Sequence, residues 1–89
     1  MPSREIRIVN KLGLHLRAAA SFVQLADAYP CQIWIHKDGR RVNGKSILSV
    51  LSVGAPAGEE IRIETSGERE TEALEALVKL VSGGFGEDS

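Results

Sequence analysis

EIRIVNKLGLHLRAAASFVQLA, residues 5–26, changes its period partway along, and that change decides the fold. Residues 5–9 alternate: Ile6 and Ile8 fall on one side and Arg7 on the other, the pattern of a half-buried strand. Asn10 and Gly13 mark residues 10–15 as a loop. From Leu16 the rhythm becomes helical, with Ala19, Phe22, Val23 and Ala26 at i, i+3, i+4 and i+7. The run of alanines favours that helix, and Pro30 stops it.

The same two rhythms recur downstream. Residues 31–37 alternate, with Cys31, Ile33 and Ile35 facing inward. Asp38-Gly39 is a two-residue hairpin signal leading into a short strand over 40–42. Asn43-Gly44 turns the chain again. Ser46 stands where an N-cap would precede a short helix over 47–53, closed by Gly54. Residues 55–58 connect to a fourth strand, 59–65, alternating through Ile61 and Ile63. Ser66-Gly67 breaks it, and a last helix from about residue 70 to 81 buries Leu74, Leu77, Val78 and Val81 before Gly83-Gly84. The order is β-α-β-β-α-β-α. Hairpins favour antiparallel pairing, and apolar helical stripes need a sheet face to cover. An α+β two-layer sandwich follows, with Arg7, Gln32, Trp34, His36, Arg62 and Glu64 on the sheet's other face.

Eighty-nine residues suit one domain, 1–89, with a loose tail expected over 83–89. At 26% charged and 43% hydrophobic the composition is that of an ordinary soluble domain, and a net charge of -1 does not suit nucleic acid. No apolar run approaches the roughly 18 residues that span a bilayer, which argues against membrane insertion. The first ten residues lack the apolar core of a signal peptide, and the single cysteine, Cys31, has no internal partner. Both point to the cytoplasm.

His15 falls where loop becomes helix. The first helical N–H groups lack intrahelical partners, and with the helix dipole they form a site for an anion. Arg17 adds a fork suited to phosphate oxygens. The same positive potential disfavours the imidazolium form and leaves a ring nitrogen free to attack. A nucleophile, an anion cradle and an arginine within a few residues are the equipment for accepting a phosphoryl group. Spacing alone equally admits, and more commonly means, a histidine that merely caps its helix beside a solvated arginine.

GLHLRAAASFV, residues 13–23, resembles the active-site signature of the HPr family, histidine phosphocarriers of the sugar phosphotransferase system. Gly13, Leu14, His15, Arg17, Ala18, Ala19 and Ala20 carry the likeness, which extends over nearly the whole chain. Leu16 stands where the family has a small residue, and Ala18 where proline is commonest. The resemblance implies an open-faced β-sandwich of three helices on a four-stranded antiparallel sheet. It also implies phosphorylation of His15 on Nδ1, with Arg17 and the amides of Leu16, Arg17 and Ala18 holding the phosphoryl oxygens. The Ala18 N–H, which proline would lack, is expected to add one donor.

Lys45-Ser46-Ile47-Leu48 is similar to the family's second signature. Taken alone, Ile47, Val50 and Leu51 can point inward, while Leu48 lies on another face and is left to a partner. The expected docking set is Leu16, Ala20, Ile47, Leu48 and Leu51. The resemblance implies enzyme I as donor, enzyme IIA domains as acceptors, and, where it exists, an HPr kinase/phosphorylase acting on Ser46. A phosphate there would place about two negative charges on the docking face. A plain N-cap is the alternative role for Ser46.

The chain is thus expected to be a monomeric carrier rather than a turnover enzyme, without cofactor or metal. His36, lacking carboxylate or cysteine companions in sequence, is not expected to bind metal, and Cys31 reads as core. Two rivals remain at this point: a small acyl-phosphate phosphatase, with Asn10 or Asn43 positioning water, and a regulatory binding module signalling through Ser46.

Overall fold

A computed structural model describes residues 2–87. The elements are β1 (Ser3–Arg7), α1 (Leu16–Ala26), β2 (Gln32–Lys37), β3 (Arg40–Asn43), α2 (Ile47–Leu51), β4 (Glu60–Ser66) and α3 (Glu70–Ser82). All pairings are antiparallel, in the spatial order β1-β4-β2-β3. The expected open-faced sandwich is what forms, with three helices on one face of four strands.

Register places the alternating isoleucines in one layer. Ile61 of β4 opposes Ile6 of β1, and Ile63 opposes Ile35 of β2. Ile33, Ile35, Ile61 and Ile63 are buried against Ala18, Ala19, Phe22, Val23 and Ala26 of α1, Val50 of α2, and Ala73, Leu74, Leu77 and Val81 of α3. Each large side chain so buried contributes about 1.5–3 kcal/mol relative to exposure. Val78 is only half-buried. Cys31 lies in the same core.

The opposite sheet face is polar. Trp34 lies under the Arg41 guanidinium, 4.2 Å from its ring centroid. His36 is held by Glu64 at 2.7 Å and Arg62 at 3.2 Å. Two protein partners occupy both ring nitrogens, and no metal-binding cluster occurs among the described residues.

Three boundaries differ from the sequence reading by more than one residue. β1 lies two residues earlier than residues 5–9, because ladder bonds engage Ser3 and Arg4 regardless of their polarity. Ile8 still faces the core: its N–H donates to the Glu59 carbonyl at 2.8 Å, and its carbonyl accepts from Gly58 at 2.7 Å. The second helix stops at Leu51 rather than residue 53, capped by Ser52. The third correction concerns the tail, expected to be loose over 83–89. Gly84–Gly86 instead makes a 3-10 turn that tucks Phe85 into the core. Burying one aromatic ring outweighs the entropy of ordering so short a segment. Residues 88–89 lie outside the described residues.

Candidate functional site

The 10–15 loop is pinned before the helix begins. Gly13 takes a left-handed φ of +71° and packs so closely on the 55–57 backbone that a Cβ would meet the Ala55 carbonyl oxygen at 2.7 Å. Leu14 N–H donates to that same carbonyl at 2.9 Å. Asn10, buried beneath the loop, donates from Nδ2 to the Gly13 carbonyl at 2.7 Å. Its Nδ2 faces two acceptors, Gly13 and Glu87, so the amide cannot be turned over without opposing oxygen to oxygen. Its Oδ1 is left buried without a partner among the described residues.

His15 is the N-cap of α1, and its Nδ1 accepts from the Arg17 N–H at 3.2 Å. An accepting Nδ1 carries no proton. The proton belongs on Nε2, which donates to the Glu87 carboxylate at 2.5 Å. The plain capping role and the acceptor geometry therefore coexist: the nitrogen that caps the helix bears the lone pair. The ring keeps about a quarter of its surface open.

The three expected cradle amides are not equivalent. The first backbone bond of α1 runs from Ala19 N–H to the His15 carbonyl at 2.8 Å, so Leu16, Arg17 and Ala18 have N–H groups without intrahelical acceptors. That of Arg17 is engaged by Nδ1. Ala18 is fully buried in the first turn. The Arg17 side chain is on an exposed residue beside the ring.

Glu87 is the site residue that the sequence did not reveal. Its carboxyl is held below the usual carboxylate range, chiefly by the Asn10 hydrogen bond, with His15 and the positive charge of Arg17 adding to it. No local pattern marks it, since 72 residues separate it from His15. The buried role of Asn10 was equally hidden, because an asparagine in a loop reads as a turn residue.

Exposed apolar side chains stand at the start of α1 and on α2, which packs against α1. Leu16 is 61% exposed, Leu48 78% and Ile47 40%, while Ala20 and Leu51 are half-buried. Ile47 thus faces outward, unlike Val50, which alone in α2 is fully buried. Leu12, 69% exposed in the 10–15 loop, is a further exposed apolar side chain that the sequence reading did not single out. Ser46 caps α2, accepting from Ser49 N–H at 3.3 Å, and neighbours Ile47 and Leu48 in sequence.

An open-faced sandwich that presents an unprotonated imidazole nitrogen at a helix mouth has the architecture of a protein phosphocarrier. The chain belongs to the PTS HPr family: the model of the HPr component phosphorylation site matches residues 2–83. It is a phosphocarrier of the phosphotransferase system. The phosphocarrier protein HPr of Pseudomonas aeruginosa is 49% identical over 88 residues, covering 98% of each chain. The crystal structure of HPr from Thermoanaerobacter tengcongensis superposes with a TM-score of 0.95 at 44% identity, over 100% of both chains. A crystal structure of an HPr dimer from the same organism matches with a TM-score of 0.78 at 45% identity, covering 98% of this chain and 100% of that one. The carrier reading is the one these relatives support, not the phosphatase.

Proposed function

We propose that His15 is the phosphoryl acceptor of this phosphocarrier, attacking through Nδ1. The supporting observation is the division of labour on one ring, with the lone pair on Nδ1 at the helix mouth and the proton on Nε2 against Glu87. For attack, the ring swings off the Arg17 N–H. The Nδ1 lone pair then forms the N–P bond while the bond from phosphorus to the donor breaks, its electrons leaving with the donor. The amides of Leu16, Arg17 (released by the ring) and Ala18, with the Arg17 guanidinium, receive the phosphoryl oxygens. Delivery runs the same path backwards.

Enzyme I is the donor and an enzyme IIA domain the recipient, both seated on Leu16, Ala20, Ile47, Leu48 and Leu51. The chain acts as a cytoplasmic monomer that forms a stoichiometric adduct and does not turn over substrate by itself. The site requires no cofactor. Two negative charges on phosphorylated Ser46, next to Ile47 and Leu48, would oppose seating without disturbing His15. No helix among the described residues is long and apolar enough to cross a membrane.

Incubation with enzyme I and phosphoenolpyruvate is expected to give one acid-labile phosphoryl group per chain, absent from His15→Ala. An adduct that persists in His15→Ala overturns this assignment.

A further inference from the structure

We infer that Glu87 is a positioning residue for His15, its carboxylate holding the proton on Nε2 so that Nδ1 keeps its lone pair for transfer. The inference rests on His15 being the acceptor. Glu87 Oε2 lies 2.5 Å from Nε2, and Oε1 accepts from the buried Asn10 amide at 3.0 Å. Asn10 in turn holds the Gly13 carbonyl at 2.7 Å, two residues before His15. Loop, ring and tail are therefore one hydrogen-bonded unit, and the carboxylate is aimed rather than free.

Two anchors hold the carboxylate there. Phe85 is buried, and Glu87 N–H donates to the Gly84 carbonyl at 3.0 Å. The side chain itself keeps only 15% of its surface exposed.

The chemistry follows from which nitrogen carries the proton. A neutral imidazole exchanges its proton between two nitrogens, and only the form protonated on Nε2 can attack through Nδ1. As the N–P bond forms, the ring takes on positive charge, and the proton stays on Nε2 facing Glu87. On delivery the N–P electrons return to Nδ1, and a ring still protonated at Nε2 is the better leaving group. A carboxylate on the far side of the ring supports both directions without touching the phosphoryl group, as the aspartate does in a Ser-His-Asp triad.

The test uses the 15N-labelled full chain as wild type, Glu87→Ala and Glu87→Gln. Long-range 1H–15N spectra at alkaline pH report the His15 tautomer, and enzyme I with phosphoenolpyruvate reports the rate of uptake. Wild type is expected to show the proton on Nε2 alone. Glu87→Ala should relax toward a mixture of tautomers and take up phosphoryl about tenfold more slowly, the loss of one charge-assisted hydrogen bond. Glu87→Gln, which retains one acceptor oxygen, should fall between the two. A wild-type tautomer or a wild-type rate in Glu87→Ala overturns the inference, as does a Glu87→Gln no better than Glu87→Ala. Should Glu87→Ala also undock Phe85, seen in its amide signals, Glu87→Gln against wild type decides, with an unchanged rate overturning it. If wild type forms no His15 adduct, the acceptor assignment fails by itself, and the tautomer comparison still judges Glu87.

Discussion

The side-chain amide of Asn10 donates to the Glu87 carboxylate at 3.0 Å, joining the first loop to the last described residue across 77 positions. Asn10 is fully buried and Glu87 is half-buried, so the bond is sheltered from competing water. Through it the tail is fastened to the loop that carries His15.

Acid should undo that fastening first. The Glu87 carboxyl is depressed below its ordinary value of 4.5 by Asn10, then His15 and Arg17. The folded form therefore binds this proton less readily than the unfolded one. Its contribution is complete above pH 4.5 and declines as pH falls below that value. Amide signals of Phe85 and ring signals of His15 are expected to report undocking in that range, ahead of global unfolding. Glu87→Gln should lack this titration.

Gly13→Ala places a Cβ at 2.7 Å from the Ala55 carbonyl oxygen and 2.9 Å from the Pro56 Cα, at a φ of +71°. Both neighbours are backbone and cannot swing aside. A loss of about 2–4 kcal/mol is expected in urea denaturation, from left-handed strain plus displacement of the 55–57 segment. Phosphoryl uptake should fall as well, because the same loop aims His15.

Leu48→Asp tests the proposed docking surface without touching the core. At 78% exposure the leucine contributes little to folding, so the melting temperature should stay close to wild type. Titration against enzyme I is expected to show binding weakened by about tenfold or more, as for an anchor replaced by a charge. Unchanged binding would remove Leu48 from the interface.

Ser46 separates capping from charge. Ser46→Ala loses the bond to Ser49 N–H, and a cost of about 1 kcal/mol is expected in chemical denaturation, with phosphoryl uptake retained. Ser46→Asp keeps a capping oxygen but adds negative charge beside Ile47 and Leu48. Stability should hold while uptake from enzyme I slows.

The alternation of Ile33 with Ile35 and of Ile61 with Ile63, and the stripe through Phe22 and Val23, were legible because strand and helix periods repeat within a few residues. The capping positions of His15 and Ser46 were legible for the same reason, since a cap acts on N–H groups two or three residues away. The early start of β1 was not, because backbone pairing with β4 does not depend on side-chain alternation.

The amino-acid sequence by itself determined the layered sandwich, the helix mouth and the presence of His15 and Arg17 there, all written in local period and spacing. Only the tertiary structure decided which ring nitrogen carries the proton. That choice is made by Glu87, carried by the turn after α3, held down by buried Phe85 and aimed by Asn10. A contact between residues 72 positions apart depends on how α3 and the tail pack against the loop, and no pattern along the chain encodes that distance.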